Sequence, residues 1–173
     1  MGTLDAVTGA ELDRLALGID TSNPLTSPVR QLAYMNRRLS PFSLGLRLGL
    51  KPATIHRWFK GAKKPGKKSI DKLGQLYRET REKEVLKKNR RKLKLGDTAI
   101  QISGTISFSD TEEYRDNFGK TPVIASSDWR DVIAAWQAGG GKPLHEAMQT
   151  AIQSVTTKVA FFPADDYELD IQA

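Results

Sequence analysis

No cysteine occurs in the 173 residues. Disulfides, thiolate metal ligands and cysteine nucleophiles are therefore excluded. Histidine is almost as scarce, with only His56 and His145, so a zinc site built mainly on imidazole is not expected. No apolar run approaches the roughly 18 residues that a membrane span needs. Met1–Asp20 has neither the early basic cluster nor the apolar core and cleavage site of a secretory signal. The expected setting is the cytoplasm, in association with the nucleoid, and no membrane partner is expected.

What the chain does have is charge, unevenly placed. Lys and Arg number 27 against 20 Asp and Glu, a formal net charge of +7. Residues 1–29 hold one base and four acids, residues 30–94 hold 21 bases and four acids, and residues 95–173 hold five bases and twelve acids. A segment at +17 thus lies between segments at −3 and −7. Such a block repels itself unless a polyanion or counterions screen it, so the expected partner is nucleic acid. The length suits one domain or two small ones, at roughly 100–200 residues per domain.

Periodicity divides the chain further. Leu12, Leu15, Ala16 and Ile19 predict a short amphipathic helix, and Thr21–Pro28, with prolines at 24 and 28, predicts a turn-rich linker. A helix is expected over Val29–Leu39, with Leu32, Met35 and Leu39 inward, and Ser40-Pro41 supplies an N-cap and a first helical residue. From Ile70 to about Leu95 a long basic helix is expected, with Glu79–Lys83 and Glu84–Lys88 as supporting pairs. Its end, Lys87–Lys94, either extends a phosphate footprint or links two domains. Past Gly96-Asp97 the period becomes two: Ile100, Ile102, Ile106 and Phe108 share a face over Ala99–Ser109, which predicts a half-buried strand. A short edge strand near Thr121–Ala125 follows, then a helix capped at Ser127 or Asp128. The next helix opens at Pro143, with Leu144, Met148, Ile152 and Val155 inward, and strands at Lys158–Phe162 and Tyr167–Ile171 close the chain. The expected fold class is α+β: an all-helical helix-turn-helix domain with a long basic helix over 30–95, after an acidic extension and linker over 1–29, then a small α+β domain over 97–173.

The helix-turn-helix is carried by Ser43–Ala62. Gly45 is the small residue where two helices cross closely, and Gly49 is the turn residue that tolerates left-handed geometry. Leu44, Leu48, Leu50, Ile55 and Trp58 lock the pair, and Pro52 falls in the first turn of the second helix. Lys51, Thr54, His56 and Arg57 then face outward, residue types that reach phosphates and base edges in a major groove. Lys60, Lys63, Lys64, Lys67 and Lys68, around Pro65-Gly66, predict a flexible basic wing on backbone phosphates. Two other signals are discounted. Gly139-Gly-Gly-Lys142 lacks the spacing and the Ser or Thr of a phosphate loop. Asp165-Asp166, Glu168 and Asp170 read as a solvated acidic edge, since a strand puts at most two of them on one face. No metal site and no cofactor are expected.

The order of Ser43–Lys60, Lys63–Lys68, the basic helix ending near Lys94, the strand ending in Phe108, Trp136-Gln-Ala-Gly139 and Phe161-Phe…Asp166–Ile171 resembles one family. This is the telomere-protecting terminal proteins of linear actinobacterial (Streptomyces-type) chromosomes and plasmids. The resemblance implies a protein bound to the 5′ ends of linear DNA. It also implies a threonine hydroxyl that receives the first deoxynucleotide and so primes end-patching synthesis, a protein primer rather than an ordinary enzyme. Implied partners are telomeric DNA, duplex or single-stranded overhang, a telomere-associated recruiting protein, and a DNA polymerase that brings its own Mg²⁺; a homodimer is also open. The family's acceptor context is matched by Thr111-Glu-Glu-Tyr-Arg115, in an expected loop over Ser109–Gly119, with Thr111 as acceptor and Ser109, Thr105 and Tyr114 as rivals. The competing reading is a helix-turn-helix transcriptional repressor with a C-terminal dimerisation domain. A third is a nucleoid-type DNA binder.

Overall fold

Leu4, Thr8, Leu12 and Ala16 recur every four residues, and helix α1 (Leu4–Gly18) buries all four. A computed structural model describes residues 1–20, 22–108, 111–115, 121–156, 159–161 and 166–173. Within them the chain is α+β and forms two compact units. One contains residues 1–20 and 86–173, and the other contains residues 21–85. The segment expected as an N-terminal extension over 1–29 is therefore split. Its helix joins the α+β unit and the rest belongs to the helical unit. The physical reason is the leucine stripe of α1, which needs a core, and Ile19, expected inward, is 41% exposed past its end.

The helical unit contains α2 (Pro28–Asn36), α3 (Pro41–Leu48), α4 (Pro52–Phe59) and most of α5 (Lys67–Asn89). Leu32, Met35, Leu44, Leu48, Ile55, Trp58, Leu73 and Tyr77 form its core, with Leu39 partly buried against it. The linker is held down: Tyr77 accepts the Leu25 N–H at 2.8 Å, and Gln31 donates to the Leu25 carbonyl at 2.6 Å. Helix α5 starts three residues earlier than expected, because the Gly66 carbonyl accepts from Ser69 and Ile70 and Lys67 and Lys68 are good helix formers. Glu84 is not engaged with Lys88. Its carboxylate accepts from Arg38 Nε at 2.5 Å and from the Tyr34 hydroxyl at 2.6 Å, and the Arg38 guanidinium lies 3.5 Å from the Tyr34 ring centroid.

The Arg38 hydrogen bond holds the Glu84 carboxyl below its ordinary range, and Tyr34 adds to this. Burial, then the bond to Glu84, pushes the Tyr34 phenol up to about 12. A lowered carboxyl pKa stabilises the fold above the ordinary carboxylate range, and that contribution disappears as acid protonates the group. Glu84 is 44% exposed, so screening limits the effect. Glu84→Gln is expected to cost under ~1 kcal/mol at neutral pH. It is also expected to flatten the stability profile between neutral and acid pH, as read by urea melts.

The α+β unit is organised on one long strand, β1 (Thr98–Phe108), the hub of a five-stranded antiparallel sheet. Its C-terminal half pairs with β2 (Thr111–Arg115) and β4 (Val159–Phe161), its N-terminal half with β3 (Val123–Ile124) and β5 (Glu168–Gln172). Ile100, Ile102 and Ile106 are buried, as their alternation predicts. Helices α6 (Ser126–Gln137) and α7 (Lys142–Val155) add Trp129, Val132, Ile133, Trp136, Leu144, Met148 and Ile152 to the same core as α1. Two details differ from expectation. Helix α6 has no side-chain cap of its own; Asp97 accepts the Ser126 N–H at 2.9 Å. Val155, at the end of α7, is 40% exposed. The expected basic helix over 70–95 ends at Asn89, which is buried and donates to the Ala16 carbonyl. After it, Leu93 is buried and Arg90 lies over Trp136, 3.4 Å from Asp13. Leucines among the bases thus draw residues 86–95 into the α+β unit.

Candidate nucleic-acid interface and acceptor hydroxyls

The close approach of α3 and α4 depends on Gly45. A Cβ there would lie 2.6 Å from the Leu50 carbonyl oxygen, which accepts nothing bulkier. Ser40 caps α3 by accepting the Ser43 N–H. Gly49 ends it at φ 69°, and Lys51 leads into α4, whose first residue is Pro52. With Ile55 and Trp58 buried, Ala53, His56, Arg57 and Lys60 occupy the opposite face of α4 and are exposed. Lys51 is exposed beside them, whereas Thr54 sits on the flank and is half-buried.

Lys63, Lys64, Lys67 and Lys68 are all exposed, but the expected flexible wing is more ordered than that. The Ala62 and Lys63 N–H groups both donate to the Arg57 carbonyl, Gly61 turns at φ 69°, and Lys67 and Lys68 form the first turn of α5. The positive end of that helix dipole adds to their charge. Among the described residues, Lys51, Arg57, Lys60 and these four lysines form no ion pair. The 21–85 unit as a whole holds fifteen bases and four acids. An unpaired cationic surface of this kind binds phosphates, and the α4 face has the dimensions and donors for a major groove.

The acceptor candidates lie on the sheet of the other unit. Thr111 opens β2 opposite Phe108 of β1, so residues 111–115 are a paired strand and not the expected loop. Thr111 and Tyr114 are residues that favour strands, and the unpaired edge of β1 gives them a partner. Tyr114 lies opposite Thr105, and Ser109 falls outside the described residues. Thr105 has the more developed surroundings. Its hydroxyl donates to the Asp166 carboxylate, and the Tyr167 hydroxyl donates to the Thr105 carbonyl. The other Asp166 oxygen is buried without a partner among the described residues. Asp166 is thus no solvated edge residue, whereas Asp170 does lie at the surface, 3.4 Å from Arg14. A hydroxyl donating to a carboxylate is the arrangement by which a general base activates a nucleophile. Sequence reasoning named Thr105 but not its partner. The two are 61 residues apart, and only the pairing of β1 with β5 brings them together.

Comparison with protein-family models and with curated proteins found no match for this chain.

Proposed function

We propose that this protein binds duplex DNA through a helix-turn-helix in its 21–85 unit, with α4 in the major groove, and serves as a terminal protein that offers a threonine hydroxyl as primer at the 5′ end of a linear replicon. The observation that carries the first half is the outward face of α4 and the start of α5: seven exposed cations without an ion pair among the described residues. Lys51, Arg57 and Lys60 serve the groove and its rims; Lys63, Lys64, Lys67 and Lys68 serve the flanking backbone. The second half rests on the family resemblance and on the hydroxyls of the β1–β2 pair. A recruiting protein and a polymerase are the partners this role requires, and the polymerase supplies the metal ions for in-line attack on the α-phosphate.

Arg57→Ala is expected to weaken binding by ~1–3 kcal/mol, the range for one good base contact, and to relax specificity at one position. A salt-matched titration checks it, and unchanged affinity would remove Arg57 from the interface. For priming, the chain is incubated with labelled deoxynucleotide, polymerase and telomeric template. Thr111→Ala is expected to bind DNA normally and to remain unlabelled, while Thr111→Ser keeps part of the label. If Thr111→Ala labels fully and Thr105→Ala does not, the acceptor is the Asp166-bound hydroxyl. A wild type that is never labelled under conditions that label a known terminal protein leaves the repressor as the better reading.

A further inference from the structure

The α+β unit is acidic as a whole, with twelve bases against sixteen acids, yet three of its bases gather in one cleft. Arg91 and Lys94 from the segment after α5, and Arg130 from α6, line a cavity of about 510 Å³. None of the three forms an ion pair among the described residues. Acids placed nearby are occupied elsewhere: Asp97 accepts the Ser126 N–H, Asp128 accepts the Ser154 hydroxyl, and Asp13 accepts from Arg90 and the Trp136 indole. The cleft has an apolar side as well. Leu93 and Ile133 are buried in its wall and Leu95 is partly buried against the core. Its frame is fixed, because Gln137 donates to the Arg90 carbonyl and Arg90 is held over Trp136.

Three cations with no counter-charge focus a positive potential into a low-dielectric pocket. Two of them are guanidinium groups, whose planar forks match phosphate oxygens two at a time. A bare phosphate would leave Leu93, Leu95 and Ile133 uncovered, and a purely apolar ligand would leave the cations unpaired. The volume falls in the range of small-molecule sites, roughly 300–1,000 Å³. We infer that this cleft is a nucleotide site: Arg91, Lys94 and Arg130 hold a phosphate group, and the nucleoside lies on Leu93, Leu95 and Ile133. The inference rests on the cleft alone and is independent of DNA binding by the 21–85 unit. The nucleotide can be a free one or the end of a DNA strand, since both present the same phosphate and base.

The test is an amide-resonance titration of the isotope-labelled full chain at physiological salt. The probes are thymidine monophosphate, thymidine, inorganic phosphate and 5′-phosphorylated tetrathymidylate. Thymidine monophosphate is expected to shift the amides of residues 91–95 and 130–137 saturably, and more tightly than thymidine or phosphate. The exposed double variant Arg91→Gln/Arg130→Gln is expected to weaken it about tenfold or more, the loss of about one charge-assisted contact, with an unchanged thermal midpoint. Lys94→Gln, tested separately, is expected to weaken it less. Tighter binding of the tetranucleotide identifies a strand end as the natural ligand, and equal or weaker binding identifies a free nucleotide. No saturable shift in the cleft, phosphate binding as tightly as the nucleotide, or a double variant that binds as the wild type does would each overturn the inference. Repeating the titration with Lys63, Lys64, Lys67 and Lys68 replaced by Gln keeps the outcome separate from any failure of duplex binding.

Discussion

Replacing Lys63, Lys64, Lys67 and Lys68 together with glutamine is expected to lower affinity for every duplex alike. All four are exposed and form no ion pair among the described residues, so their charge is free to displace counterions from a polyanion. Each duplex phosphate contact contributes ~0.9 to the slope of log K against log salt. Loss of four contacts would flatten that slope by up to ~3.6, which makes the wild type lose roughly 100-fold more affinity than the variant over a fourfold rise in salt. Fluorescence anisotropy at several salt concentrations, with two unrelated duplexes, measures this. A loss confined to one duplex would mean that these lysines read bases and not the backbone.

In the α+β unit the largest effect is expected from Gly104→Ala. Gly104 lies in the middle of β1 at φ 151°, and a Cβ built on it would come within 2.1 Å of the Tyr167 ring. That contact is with the stem of a ring that is fully buried, tilted against Phe161 and bonded through its hydroxyl to the Thr105 carbonyl. The ring cannot swing aside without opening the core between β1 and β5. The expected cost is about 2–3 kcal/mol, at the upper end of the usual range for overpacking. The thermal midpoint of this unit should fall on the order of 10 °C. Calorimetry tests it, and an unshifted midpoint would show that the backbone of β1 yields at residue 104. Loss of the Tyr167 position would also disturb the Thr105–Asp166 pair, so Gly104→Ala is not a neutral background for labelling experiments.

Local pattern made much of this fold legible. The three isoleucines of β1, the Ser40-Pro41 start of α3, the Gly45 and Gly49 positions and the aromatic stripe of α6 are each set by spacing within a few residues. They lie where the sequence places them. What the sequence did not disclose depends on distance along the chain. The stripe of α1 is visible, but nothing in residues 1–29 says that its partner is α7. The basic run 87–94 reads as one block, yet its alternate members do different things. Arg90 is tied to Asp13 and Trp136, and Leu93 is buried, while Arg91 and Lys94 face the cleft. Arg130 carried no signal at all, because one base on an amphipathic helix is ordinary. For the acceptor, the polar composition of Ser109–Gly119 suggested a loop, whereas strand pairing with β1 decided the conformation of residues 111–115.

The pairing of Gly2 with Tyr167, through Gly2 N–H to Tyr167 O at 2.9 Å and the reverse bond at 3.0 Å, has a consequence on the ribosome. The 21–85 unit is an insertion within the other, and all of its residues leave the exit tunnel while α1 still lacks α7. At roughly 5–20 residues per second, α1 waits on the order of ten seconds for its partner. During that interval the apolar side of α1 is a target for holding chaperones, and the inserted unit is already able to fold on its own core. Binding to nucleic acid by that unit can therefore begin on a nascent chain whose sheet does not yet exist.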